Sequence, residues 1–159
     1  MQELAIKIRN AQENDLEVIL DFILAKAKFD QQEHAVQATL SKLAKTLFSD
    51  QPLAYVLLAE IETIPVGFAL YFYTYSSFLA QPGIWLDDLF VKPQMRHQGI
   101  GTALIRHLAN LGNINNCGRI EWTVATHNSP AVDFYQQQGA KILTDIRLCR
   151  LEESLMLQK

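Results

Sequence analysis

The stretch KPQMRHQGIGTALI, Lys92 to Ile105, decides how the chain is read. It sets a basic, glycine-bearing turn between an apolar run holding two acids, Ile84 to Val91, and a run with helical spacing. Gly99 and Gly101 open that helix. Glycines at such a place let backbone N–H groups converge, and the unpaired donors and helix dipole favour an anion. Arg96 adds a cation. Two other phosphate loops fail on residues. A dinucleotide fingerprint needs a third glycine where Leu104 stands, and a Walker loop needs Lys and Ser or Thr where Thr102 and Ala103 stand. Taken alone, the loop fits an anion cradle or a plain strand-to-helix turn.

The surrounding chain narrows the choice. Its 159 residues suit one domain spanning 1–159, since no repeat, linker or low-complexity tract divides them. With 49% hydrophobic and 19% charged residues the composition is globular. A net charge of -3 argues against a nucleic-acid partner and suits a cationic substrate. Cys117 and Cys149 make neither a disulfide framework nor a metal cluster, and His34, His107 and His127 show no ligand spacing, so no metal is expected. The N-terminus lacks a signal peptide's apolar core, and no apolar run approaches the roughly 20 residues of a membrane span. These features suggest a soluble, cytoplasmic protein with no membrane partner.

Periodicity gives the order of elements. LAIKIR, from Leu4, alternates as a strand; Asn14 or Asp15 caps a helix bearing Leu16, Ile19, Leu20, Ile23, Leu24 and Ala27; and Val36, Leu40, Leu43 and Leu47 mark a second helix. LAYVLLAE and VGFALYFYTY form a hairpin around Glu62 to Pro65, and IWLDDLFV is the next strand. After the glycine turn comes a helix with Ile100, Leu104, Leu108 and Leu111, then the strand RIEWTVAT. Ser129 caps and Pro130 begins a short helix ending at Gly139, and DIRLCRLE closes as a late strand. The class is mixed α/β, with a parallel pairing across the Ile84 to Val124 crossover.

NSPAVDFYQQQGA, Asn128 to Ala140, follows the strand after the glycine turn. Together with Arg96, Gly99 and Gly101, its residues Asn128, Ala131, Phe134, Tyr135, Gly139 and Ala140 make the chain resemble the GNAT superfamily of acetyl-CoA-dependent N-acetyltransferases. The resemblance covers most of the chain. It implies a mostly antiparallel mixed sheet flanked by helices, with a splayed parallel strand pair that holds acetyl-CoA. YFYTYSSF, LDDLFV, RHQGIG, FYQQQGA and IRLCRLEESL are more narrowly similar to the spermidine/spermine N-acetyltransferases and their thialysine-acetylating relatives. Departures fall on substrate-facing parts. Asp87-Asp88 stands where the subfamily has Glu-Asp, and Ala27 and Lys28 stand where it places an aromatic and an acid.

The resemblance assigns roles. Asp87 is the base-side residue and Asp88 a substrate contact; Tyr135 is the proton donor to the departing thiolate. Leu89, Phe90 and Val91 offer backbone to the pantetheine arm, and a backbone N–H there polarises the thioester. Arg96, His97, Gln98, Gly99, Ile100, Gly101 and Thr102 form the pyrophosphate loop, His97 and Gln98 through backbone N–H groups. Asn128 and Ala131 complete the acetyl-CoA contacts, and a homodimer with C-terminal strands at its interface is implied.

The chemistry fits these residue types. An alkylammonium of pKa about 10.4 is neutral only about once in a thousand molecules near pH 7.4, a cost of about 4 kcal/mol. A carboxylate pair can hold the cation and lead its proton away through water. An Asp near pKa 3.9 is a poor direct base, whereas a phenol near 10 is a sensible acid for a thiolate whose conjugate acid lies near 8.5. Neighbours on a regular strand face opposite ways, so Asp87 and Asp88 can reach one site only across a bulge or a strand end. Glu121 could line the acceptor pocket or lie on a solvated strand face, and Trp85 and Trp122 are expected in or beside the core. YFYTYSSF could wall an acceptor cleft or form a sheet surface or dimer contact. The expected activity is acetyl transfer to a primary amine of a diamine, polyamine or lysine-like amino acid. The rivals are acetylation of a protein N-terminus or lysine, a non-catalytic acyl-CoA-binding module and a structural interaction domain.

Overall fold

The computed structural model describes residues 5–156. It contains two compact units divided between Thr123 and Val124. The first holds β1 (Ile6–Asn10), α1 (Leu16–Phe29), α2 (Leu40–Leu47), β2 (Tyr55–Ile61), β3 (Ile64–Ser76), β4 (Gln81–Val91), α3 (Ile100–Ile114) and β5 (Ile120–Glu121). The second holds α4 (Ser129–Gln137) and the single turn α5 (Glu153–Met156).

The sheet runs in sequence order, β1-β2-β3-β4-β5. Its first three pairings are antiparallel, and β4–β5 is parallel, as the crossover through α3 requires. The β2–β3 hairpin turns on two residues, Glu62 and Thr63, with φ of 49° and 69°. That left-handed pair is a type I′ turn, whose twist matches that of the strands it joins.

The two sheet faces bury different helices. Ile100, Leu104 and Leu108, one helical turn apart, are fully buried on one face with Leu57, Ala59, Ala69 and Ile84. Ile19 and Phe22 of α1 and Leu43 and Leu47 of α2 pack on the other with Leu58, Phe68 and Phe90. Phe22 stacks on Phe68 at 5.2 Å between ring centres. Each such side chain contributes roughly 1.5–3 kcal/mol by leaving water.

The β3–β4 ladder carries the irregularity that matters most. Leu70 pairs with Asp88, but Tyr71 pairs with Leu86, which makes Asp87 an extra residue on β4. On a regular strand Leu86 and Phe90 would share a face. Here Leu86 packs with α3 and Phe90 with α1 and α2. The bulge inverts the alternation between them.

Several boundaries differ from the sequence reading. Leu4, the expected first strand residue, lies outside the described residues. Val36 is extended, and α2 begins at Leu40 under Thr39, whose hydroxyl accepts from the Lys42 N–H at 3.2 Å. RIEWTVAT shrinks to Ile120–Glu121. The expected late strand DIRLCRLE is not a strand. A strand needs a ladder partner, and among the described residues the sheet ends at β5; Ile146, Leu148 and Leu151 of that segment are exposed. Asn128 rather than Ser129 caps α4, its Oδ1 accepting from the Ala131 N–H at 3.3 Å. Gly139, with φ of 89°, ends it. The Ala140 N–H reaches the Tyr135 carbonyl and the Gly139 N–H the Gln136 carbonyl, which is a Schellman motif.

One buried charge network fixes the start of α1 to the sheet. Arg9 on β1 grips Asp15 with two bonds of 2.7 and 2.9 Å, and its Nε donates to Glu60 on β2 at 2.7 Å. Asp15 also accepts from the Gln12 N–H at 2.7 Å. The Arg9 bonds outweigh burial and hold the Asp15 carboxyl below its ordinary range. Because the folded value is depressed, this stabilisation is fully present above the unfolded pKa near 4 and is lost as pH falls through the folded value. Asp15→Asn is expected to cost about 3 kcal/mol at pH 7 and to flatten the acid limb of stability. Urea unfolding from pH 7 to pH 2 measures both, and an unchanged acid limb would remove Asp15 from this role.

Candidate active site

β4 runs directly into the glycine loop. Lys92 anchors its end by donating its N–H to Val66 O at 2.9 Å, and Pro93–Met95 makes one 3-10 turn. His97 is left-handed at φ 61°, and Gly99, at φ 81°, is the N-cap of α3. The first bond of α3 runs from the Ala103 N–H to Gly99 O at 2.9 Å. The N–H groups of Ile100, Gly101 and Thr102 therefore have no carbonyl to bond inside the helix, and they gather at its positive end. A Cβ on Gly99 would meet only Ile6, at 4.0 Å, so the backbone angle and not crowding calls for glycine there.

Arg96 braces this loop from below. Its Nε donates to Val91 O at 3.1 Å, and its guanidinium lies 4.4 Å from the Phe29 ring centre and 5.6 Å from that of Phe90. The cation is thereby fixed between the end of β4 and the last turn of α1.

The outer edge of β4 is open where the chemistry would lie. β4 and β5 pair only at Ile84↔Ile120 and Trp85↔Glu121. Beyond them, no described strand pairs with β4 on that side, so alternate backbone groups from Leu86 to Val91 face an unladdered edge. This is the splayed parallel pair expected of the fold.

The bulge brings the two acids to one face. Asp87 is exposed, and its Oδ1 accepts from Trp85 Nε1 at 3.3 Å. Asp88 is half-buried on the α1 side, with Oδ1 3.3 Å from Lys26 Nζ. Burial raises the Asp88 pKa and Asp87 adds to it, while Lys26 opposes both without cancelling them. Glu121 pairs with Arg119, so its charge is already met. Lys26, Asp30 and Phe29 were not singled out in the sequence. Lys26 and Asp30 are legible there as an i,i+4 pair, but the reach of Lys26 to Asp88 joins residues 62 positions apart and leaves no local signal.

In the second unit, Tyr135 is half-buried on α4 with its ring centre 5.2 Å from that of Phe134. Asn128 and Ala131 are joined by the capping bond. Trp85 lies between the core and solvent, its ring 6.5 Å from Phe72, and Trp122 packs against the α3-side core.

A glycine-broken helix N-terminus beside a splayed β4–β5 pair defines a class, and residues 17–140 match the model of the Acetyltransferase (GNAT) family. The chain belongs to that family and is an acetyl-CoA-dependent N-acetyltransferase. It is 33% identical over 147 residues to a thialysine N-epsilon-acetyltransferase of Mus musculus, covering 87% of this chain and 86% of that one. It is 30% identical to an L-ornithine N5-acetyltransferase of Arabidopsis thaliana, with 91% and 83% covered. Among solved structures, an integron cassette protein from the mobile metagenome of V. cholerae superposes with a TM-score of 0.78 at 26% identity, covering 96% of each chain.

The left-handed Gly99 yields a direct test. Gly99→Ala leaves room for the methyl group but strains the backbone, and is expected to destabilise by about 1–2 kcal/mol. A denaturation midpoint equal to that of the unaltered protein would show that the loop relaxes away from this angle.

Proposed function

We propose that the acceptor is a primary amine of a small cationic metabolite, a diamine, a polyamine or a lysine-like amino acid. The observation that carries this reading is the β4 bulge. It sets two carboxylates on one face of the strand that leads into the anion loop, with Asp87 exposed to a ligand. The thialysine and ornithine acetyltransferases named above act on such amines, which adds support.

The residues divide the work. Acetyl-CoA supplies an acyl group activated as a thioester. The gathered N–H groups at the start of α3, with His97 and Gln98 contributing backbone donors, suit its pyrophosphate, and Leu89, Phe90 and Val91 suit its pantetheine arm. A backbone N–H of this open edge would stabilise developing negative charge on the acyl oxygen. Asp87 holds the acceptor ammonium, and the ammonium proton leaves through water. Tyr135 is the candidate acid for the departing thiolate. The same reading takes residues 1–159 as one cytoplasmic domain acting as a homodimer, to which exposed Ile146, Leu148 and Leu151 lend support.

Thiol release from acetyl-CoA against spermidine, spermine, putrescine, thialysine, lysine and a mixed peptide pool tests this. Selective turnover of one cationic small amine is expected. Tyr135→Phe should lower kcat by about 100-fold or more, and Asp87→Asn should chiefly raise the acceptor KM, by about ten-fold. Turnover of the peptide pool alone would overturn the small-amine reading. Equal KM in Asp87→Asn would take Asp87 out of the acceptor site.

A further inference from the structure

The two acids of β4 share a face but not a charged partner. Lys26 Nζ, on the last turns of α1, lies 2.5 Å from Asp30 Oδ2 and 3.3 Å from Asp88 Oδ1. Asp87 has only the neutral Trp85 N–H, and among the described residues no ion pair reaches it. We propose that Lys26 is a positioning residue that sets acceptor selectivity: it holds Asp88 charge-compensated, so an incoming ammonium meets Asp87 rather than two free carboxylates. This inference rests on the small-amine reading for its consequence in catalysis, but not for the clamp itself.

The geometry favours a clamp over an incidental surface contact. Lys26 and Asp88 keep only 26% and 21% of their side-chain exposure, and a bulged strand presents Asp88 squarely to α1. Lys26 is drawn two ways. Burial lowers its pKa, but the bond to Asp30 and the charge of Asp88 outweigh that, so it remains a cation. The charged groups facing Asp88 are Lys26, Asp87 and Asp30, and only Lys26 favours its ionised form. Asp30 shares Lys26 with Asp88, so removing Asp30 should tighten the clamp, and removing the ammonium should abolish it. A residue that merely fills space cannot give effects of opposite sign.

The test follows the Asp88 and Asp87 carboxyl carbons by NMR titration of the isotopically labelled full chain. Lys26→Met, which keeps helix propensity and bulk, should raise the Asp88 midpoint and move Asp87 less. Asp30→Asn should lower the Asp88 midpoint, and Lys26→Arg should restore it. In the turnover assay at pH 8, Lys26→Met should raise the diamine-to-monoamine ratio of kcat/KM about five-fold, through KM with kcat unchanged. An unmoved Asp88 midpoint in Lys26→Met overturns the clamp whatever the kinetics show. A moved midpoint with an unchanged ratio overturns the selectivity role. Absence of turnover with every amine by the unaltered protein would instead refute the acceptor reading, and the midpoints would still decide the clamp.

Discussion

One residue too many on β4 governs the functional half of this molecule. Without Asp87 in excess, side chains from Leu86 to Phe90 would alternate regularly, and the neighbouring acids would face opposite layers. One carboxylate would then point into the apolar layer beneath α3, at a desolvation cost of several kcal/mol. The bulge removes that conflict. It lets Leu86 serve the α3 core and Phe90 the α1–α2 core, and it leaves both acids on the side where solvent and α1 can reach them. Such a device is stable only because the rest of the β3–β4 ladder, ten register pairs long, is regular on either side.

The candidate anion site at the start of α3 relies on backbone instead of side chains. Its donors are amides that any helix start leaves unpaired, so little is demanded of the sequence beyond a left-handed Gly99 and a loop held still. Stillness comes from Arg96, tied to Val91 and covered by two rings, and from Lys92, tied to Val66. A loop whose Arg96 is already braced keeps its shape before a ligand arrives. That lowers the ordering cost of binding.

Much of this could be read in the sequence, where local chemistry decides the outcome. Gly99 and Gly101 before an apolar period of three and four gave the helix start, and the hairpin and crossover order followed from alternation and length. The need for a bulge between Asp87 and Asp88 was also deducible, since adjacent acids and period two conflict; its position was not, because register depends on a distant strand. DIRLCRLE misled for a related reason. Its alternation is that of a strand, but a strand exists only where a neighbour offers a ladder, and none is described beyond β5. At α4 both Asn128 and Ser129 are good caps, and nothing local chooses between them. Lys26 was silent because a lysine on a helix is ordinarily a solvated side chain.

The last turns of α1 touch both candidate sites. Lys26 and Asp30 lean on the acid strand, and Phe29, between them in sequence, lies under Arg96 of the anion loop. These side chains share one helix end, so displacing one of them changes the freedom of the others. With both substrates bound as proposed, they would be linked through a shared wall without touching. Linkage is reciprocal: whatever factor an acceptor amine imposes on the affinity for acetyl-CoA, acetyl-CoA imposes on the affinity for the amine. The order in which the two substrates arrive is then a matter of kinetics, while the equilibrium coupling that the tail of α1 would carry is the same by either route.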